Sequence, residues 1–257
     1  MVQDELYTQE WLEFYEKLFP EENYKLSFNI LNNAIKRHNP HAKDVLEIAC
    51  GTGRYTKYFV KSGYRAVGND LSLDAIAVAR KRVKGAHFEV KEMEHISEHE
   101  KYDVICCLFE PFRYNHTYEV CVDVLRKANR ALKLGGLFLA DFSIYPPAQK
   151  SDVPSIHNVV KLSGGRTAIK DEFIHTAGSF DMRKDVVQLY KRKLFKEPEL
   201  MMQKEIKRAP LLRISRETMN TMLRMARFEL VEEIRGFQRG SDGSPDQHSW
   251  LFVAVKY

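Results

Sequence analysis

Val45-Leu46-Glu47-Ile48-Ala49-Cys50-Gly51-Thr52-Gly53-Arg54 decides how this chain is read. An apolar run, Val45 to Ile48, breaks into Gly51-Thr52-Gly53 and continues into an amphipathic stretch, Tyr55 to Ser62. That pattern predicts a strand, a tight turn and a helix. Glycine removes the side chain where a backbone must turn sharply and lie against a ligand. The helix behind the turn presents N–H groups that have no partner inside the helix. A second strand-like run, Tyr64 to Asn69, ends at Asp70. A carboxylate at that point can accept hydrogen bonds from both hydroxyls of a ribose. The segment therefore predicts a ligand that contains a nucleoside.

Two glycines alone are a weak signal. Dinucleotide-binding proteins favour a third glycine, three residues after the second, where the helix packs closely on the strand. Here that position is Thr56, and what is added instead is an acidic residue inside the strand, Glu47. A carboxylate in an otherwise apolar strand needs a partner, because burying it unpaired is costly. The resulting pattern, E-x-x-x-G-x-G, resembles the first motif of class I S-adenosylmethionine-dependent methyltransferases. The resemblance implies that Glu47 organises the glycine loop and the methionine amino group. It also implies that Ala49, Gly51 and Gly53 pass beneath the cofactor, and that Asp70, followed by Leu71, meets the ribose.

The same resemblance continues along the chain. Val67-Gly68-Asn69-Asp70-Leu71-Ser72 looks like the second motif, and Ser72 is placed to cap a helix from Leu73 to Val83. Phe88 to Met93 occupies the third-strand segment, which gives Glu92 the adenine amino group and puts Met93 against the ring. Glu92 stands where the family most often has Asp. Tyr102 to Phe109 is the fourth strand, with Leu108 near its end. Gly135-Gly136 is expected to turn the chain from a helix, Tyr118 to Leu132, into a fifth strand, Leu137 to Phe142. The resemblance covers about residues 8–142 and, less closely, 215–257.

Strand and helix alternate five times up to Phe142, which predicts an α/β fold with a doubly wound sheet. The resemblance makes this a seven-stranded, mostly parallel sheet, a Rossmann-like methyltransferase core, with its last strand inserted antiparallel between the fifth and sixth. Ahead of it, Thr8 to Leu18 and Tyr24 to Arg37 read as helices, and Tyr15 is the aromatic candidate to close over the cofactor. From Ile144 the pattern changes. Pro146-Pro147, Pro154 and Gly164-Gly165 are turn signals, and Thr167 to Ile174, Val186 to Phe195 and Gln203 to Lys207 alternate at period two, as antiparallel strands do. Residues 143–212 are therefore read as a β-rich lid inserted into a core of residues 1–142 and 213–257. That layout resembles small-molecule members related to the sugar N,N-dimethyltransferases.

At 257 residues and 44% hydrophobic content, the chain can hold one large domain with an insertion. No run approaches the roughly 18–20 apolar residues of a membrane helix, and the first residues do not read as a signal peptide. The four cysteines form no C-x-x-C pair, so reduced thiols in a cytoplasmic protein are expected, with no metal site. The net charge of +5 lies wholly in residues 151–257, concentrated between Arg183 and Arg216. Such a run is a solvated face or an attraction for anions, nucleic acid included.

Methyl transfer from a sulfonium is an in-line displacement, so alignment is the main requirement, and an amine acceptor must arrive deprotonated. The segment Phe109 to His116 is where the resembled family meets its acceptor. His116 is the first candidate base, since an imidazole exchanges protons near neutral pH. Tyr114 is the second, Glu110 is a further titratable group, and Arg113 is a candidate anion holder. His175, Tyr190 and His248 follow. The expected acceptor is a small molecule with an amine or hydroxyl. The segment Phe109-Glu110-Pro111-Phe112 lacks the Asn/Asp-Pro-Pro core of base-modifying enzymes, which leaves an RNA methyltransferase using the basic lid as the lesser reading. An NAD-dependent oxidoreductase is disfavoured by Thr56. A non-catalytic nucleoside-binding module is the remaining alternative. The β-rich insertion, with strand edges exposed, is also a place for a homodimer to form.

Overall fold

The structure, a computed structural model, describes residues 21–149, 156–162, 166–191, 199–207, 210–239 and 243–257. The expected helix Thr8 to Leu18, and Tyr15 on it, lie outside the described residues. The chain divides into two compact units, one of residues 21–144 and 214–257, the other of residues 145–213.

In the first unit, α1 (Glu21–His38) starts earlier than its apolar pattern suggests, with Glu21 and Glu22 in its first turn, where carboxylates favour the helix dipole. It buries Tyr24, Phe28, Leu31, Ala34 and Ile35, spaced three and four apart. Then follow β1 (Asp44–Ile48), α2 (Arg54–Lys61), β2 (Arg65–Asp70), α3 (Leu73–Arg82), β3 (His87–Val90), β4 (Tyr102–Cys107), α4 (Tyr118–Ala131) and β5 (Leu132–Ser143). Ser72 caps α3 by accepting the Ala75 N–H, and Thr117 caps α4 by accepting that of Val120.

The seven-stranded sheet has the order β11-β12-β5-β4-β1-β2-β3, where β11 is Phe228–Arg235 and β12 is Ser249–Lys256. The five strands β1 to β5 are parallel, and β12 runs antiparallel between β5 and β11. From β1 the chain moves outward through β2 to β3, then returns to the other side of β1 at β4. This reversal opens a crevice at the carboxyl ends of β1 and β4, where open α/β sheets bind ligands.

The fifth strand departs from the sequence expectation. Gly135-Gly136 does not turn a helix into a strand, because β5 already begins at Leu132. Tyr102 pairs with Leu132 and Val104 with Leu137, so the intervening residues bulge out of the ladder. Gly135 has φ 71, open to glycine at little cost, and a Cβ on Gly136 would sit 2.8 Å from the Lys133 carbonyl oxygen. The bulge swings Lys133 towards the amino ends of the neighbouring strands. There its Nζ lies 2.9 Å from Asp44 Oδ2 and 2.8 Å from Asp103 Oδ1, while Arg65 donates two bonds to Asp44.

The second unit is an antiparallel sheet of β6 (Ile156–Leu162), β7 (Arg166–Ala177), β8 (Phe180–Lys191), β9 (Glu199–Lys207) and β10 (Leu211–Leu212). Strands β6 and β10 carry no clear alternation in sequence and were not expected. The Gly164-Gly165 turn and the end of the expected strand Val186 to Phe195 fall outside the described residues. A two-residue turn at Gly178, φ 57, joins β7 to β8. Beneath it Arg213 donates to the buried Asp181 and, at 2.9 Å, to the Tyr145 carbonyl, which ties together the chain entering and leaving this sheet. Helix α5 (Arg216–Met225) returns the chain to the first unit, with Ser215 as its cap. Among the described residues no helix is long and apolar enough to cross a membrane, and none of their His, Cys, Asp and Glu side chains group as a metal site.

Candidate active site

Strand β1 delivers the chain into a loop with three left-handed residues, Ala49 (φ 54), Gly51 (φ 53) and Gly53 (φ 74). The Cys50 N–H donates to the Asn69 carbonyl at 2.8 Å, and the Gly53 N–H to that of Cys50 at 3.0 Å. The two glycines serve different ends. A Cβ on Gly53 would meet Ala79 Cβ at 3.1 Å and the Phe88 ring at 3.2 Å, so this glycine lets α2 settle on the core. A Cβ on Gly51 would meet nothing within 4 Å. The space over Gly51 is open, at the place where the crevice opens.

Three carboxylates gather at this end of the sheet. Asp70, on the last residue of β2, is buried; its Oδ2 accepts the Gly51 N–H at 2.8 Å and its Oδ1 the Ser72 N–H at 2.9 Å. Burial holds its carboxyl above the usual range, against those backbone donors. Glu47 is 2% exposed and accepts a short hydrogen bond from the Thr56 hydroxyl. Thr56, the residue in place of the third glycine, is thus the partner that the strand carboxylate needs. Burial pushes Glu47 up to about 8, with the Thr56 bonds pulling the other way and the Asp70 charge adding to the rise. Asp141, near the end of β5, is fully buried and pushed up by burial to about 7. Its Oδ1 accepts the Phe109 N–H at 2.6 Å and its Oδ2 the Gln238 side-chain amide at 2.8 Å.

Beyond β4 the backbone turns left-handed at Phe109 (φ 77) and Glu110 (φ 69), then enters a single 3₁₀ turn, Pro111–Tyr114. The Phe109 ring stacks on Tyr24 of α1 at 5.7 Å. Glu110 accepts the Ser143 N–H at 2.7 Å, and the buried Arg113 donates to the Ser143 carbonyl at 3.2 Å and lies 3.7 Å from the Glu110 carboxylate. These two side chains fasten the loop to β5, so Arg113 is no free anion holder and Glu110 no free base.

The other expected site residues fall as follows. Leu71 is 54% exposed beside Asp70, and Val90, at the end of β3, is 47% exposed. Glu92 leads into a 3₁₀ turn, Met93–His95, and the Met93 sulfur accepts from the buried Asn115 amide at 3.4 Å, which joins this turn to the loop after β4. Leu108 is buried. Tyr114 is half-buried at the end of its turn and His116 is exposed just before α4. His248 is exposed ahead of β12, and the side chains of His175 and Tyr190 lie outside those described. Phe88, Thr56, Asp141 and Gln238 are the residues that sequence reasoning missed as parts of the site. For Thr56 a signal existed, since an acidic strand residue implies a nearby donor.

Residues 45–136 match the family model described as a methyltransferase domain. Over that stretch the chain is similar to a methyltransferase domain. Over 75 residues, 29% of this chain and 29% of the relative, the sequence is 32% identical to a Streptomyces fradiae dTDP-3-amino-3,6-dideoxy-alpha-D-glucopyranose N,N-dimethyltransferase. The chain spans half or less of the length of the curated relatives it matches. The methyltransferase fold extends well beyond the matched segment. CalS10 of Micromonospora echinaspora, an amino pentose methyltransferase solved with S-adenosylmethionine bound, superposes with a TM-score of 0.78 at 17% identity, covering 99% of this chain and 100% of that one. DesVI of Streptomyces venezuelae superposes with a TM-score of 0.72 at 19% identity, over 91% and 92% of the two chains. The chain is thus similar over part of its sequence to a sugar N,N-dimethyltransferase and shares its fold with both solved structures, and the second antiparallel sheet lies within the 99% of the chain that CalS10 covers.

Proposed function

We propose that this protein transfers a methyl group from S-adenosylmethionine to the amine of a small molecule, an amino sugar carried on a nucleotide being the favoured class. The observation that carries the reading is the open space over Gly51, whose N–H the buried Asp70 carboxylate accepts, with the exposed Leu71 next to Asp70 in the chain and the exposed Val90 paired with Asp70 in the sheet. A nucleoside fits that space: Asp70 takes the ribose hydroxyls, and the apolar pair flanks the base with Glu92 and Met93. Bound there, the cofactor supplies an electrophilic methyl on a positively charged sulfur. The carboxylates of Glu47 and Asp70 favour positive charge near the loop, and the loop after β4 holds the acceptor in line. His116 and Tyr114 are the proposed groups for taking a proton from an acceptor ammonium. The amine class rests on the Streptomyces fradiae N,N-dimethyltransferase and on CalS10, whose names give an amino sugar as acceptor.

Two further parts of the reading concern setting. Dimerisation through the β-rich unit is supported by β6, which pairs only with β7 among the described residues and exposes Val159. A cytoplasmic location is supported by four buried free thiols.

Calorimetry with S-adenosylmethionine, S-adenosylhomocysteine and NAD tests the donor. Micromolar binding of the first two without NAD is expected, whereas NAD binding alone refutes the reading. Incubation with S-adenosylmethionine and dTDP-3-amino-3,6-dideoxyglucose, read by mass, is expected to show stepwise gain of methyl groups on nitrogen.

A further inference from the structure

Asp141 and Gln238 belong to no motif, yet they are tied into the site more closely than any candidate base. Asp141 lies near the end of β5 and Gln238 follows β11, 97 residues away. The NH₂ of Gln238 donates to Asp141 Oδ2, and its carbonyl faces the Tyr55 hydroxyl on α2 at 3.4 Å. The Gln238 backbone is itself fixed: its N–H donates to the buried Ser249 hydroxyl at 2.8 Å and its carbonyl accepts the Asp246 N–H at 2.9 Å. One residue earlier, the Phe237 carbonyl accepts the Ser27 hydroxyl of α1 at 2.9 Å. What this rigid assembly holds is a single strained point, the N–H of Phe109 at φ 77. A left-handed phenylalanine persists only where its surroundings enforce it.

The donor's direction along the crevice follows from Asp70. With the ribose at the end of β2, the base lies towards β3 and the amino-acid end towards β1 and β4, where Phe109 begins its loop. Resting on the donor reading above, we propose that Asp141 and Gln238 are positioning residues that hold the loop after β4, through the Phe109 amide, against the amino-acid end of the donor. Neither touches the donor itself. They act through the backbone of Phe109.

S-adenosylhomocysteine and 5′-methylthioadenosine share the nucleoside and its sulfur and differ in the amino-acid chain, so their binding to the full chain separates positioning from general damage. Asp141→Ala and Gln238→Ala are expected to weaken S-adenosylhomocysteine tenfold or more and to leave 5′-methylthioadenosine within twofold. Asp141→Asn is expected to stay within threefold for both. Its oxygen still accepts from Phe109, its NH₂ donates to a Gln238 amide turned over, and Tyr55 oxygen accepts in turn. Equal weakening of both ligands, unchanged S-adenosylhomocysteine affinity, or an Asp141→Asn protein no better than Asp141→Ala each overturns the proposal. If Asp141→Ala does not fold, Gln238→Ala, on a half-buried loop, decides between the same outcomes. A wild-type protein that binds neither ligand refutes the donor reading, and the proposal with it. Wild-type binding with an unchanged ratio in the variants refutes the proposal alone.

Discussion

The two ends of the parallel sheet hold comparable numbers of carboxylates and treat them in opposite ways. At the amino end, Asp44 and Asp103 sit near the surface and meet cations, Lys133 and Arg65. The Arg65 hydrogen bonds draw Asp44 down to about 2, and despite some burial the Lys133 ammonium holds Asp103 below its ordinary value. At the carboxyl end, Glu47, Asp70 and Asp141 are buried and meet neutral donors: a hydroxyl, backbone N–H groups and an amide. Burial raises all three, Glu47 to about 8 and Asp141 to about 7. Paired carboxylates stabilise a fold, whereas carboxylates left without a cation are a cost that a positively charged ligand can offset. The amino end is built for stability, and the proposed donor site lies at the carboxyl end.

The largest expected effect is at the carboxyl end, in Gly53→Val. A side chain there meets both a left-handed backbone and a 3.1 Å contact with Ala79, so a loss of about 2–5 kcal/mol in urea unfolding is expected. Gly51→Val has open space and should unfold at a loss of only about 1–2 kcal/mol, yet abolish donor binding. A Gly51 variant that binds S-adenosylhomocysteine normally would falsify the placement of the ligand. Asp70→Ala is expected to weaken donor binding about 100-fold or more, equivalent to ~3 kcal/mol. The Gly51 N–H loses its acceptor at the same time.

The pH dependences of the two ends should have opposite sign. Asp44 has a lowered value, so its contribution to stability is present above its ordinary 3.8 and is lost as pH falls through about 2. Glu47 and Asp141 have raised values, so their neutral forms favour the fold at low pH, and that stability is lost as pH rises through about 7 to 8. Asp141→Asn is therefore expected to gain unfolding free energy relative to wild type as pH rises from 5 to 8.5. A difference that stays flat across that range would show that Asp141 is not buried as a neutral acid. Near pH 7, donor binding is expected to release protons, seen as a calorimetric enthalpy that varies with the buffer.

The smallest effect is expected at the amino end. Lys133→Met removes the cation shared by Asp44 and Asp103, but Lys133 is partly exposed, so a loss of about 0.5–1 kcal/mol is expected, with donor affinity unchanged. An altered affinity would mean that the two ends are coupled.

Much of this was legible in the chain because it is local. A tight turn between strand and helix shows in the glycines themselves, a cap shows in Ser72 and Ser215, and an acidic residue in an apolar strand announces a partner nearby. The bulge in β5 was misread as a turn, since two adjacent glycines mark either one and only pairing with β4 distinguishes them. Glu110 and Arg113 looked like chemistry in the sequence. Their ties to Ser143 became visible only when β5 lay beside the loop.

By itself, the sequence determined the alternation of strands and helices from β1 to β5, the glycine cradle and the carboxylate at the end of the second strand, because hydrophobic period and turn residues act over a few positions. The tertiary structure decided what depends on sheet order. Placing β4 between β1 and β5 brings Phe109 to Asp141, and inserting β12 beside β5 brings Gln238 to Asp141 as well. Those contacts join residues far apart in the chain, and no local preference specifies them. They form because a polar group buried between the sheet and its helices is costly unless it is hydrogen-bonded, and sheet order decides which partners lie within reach.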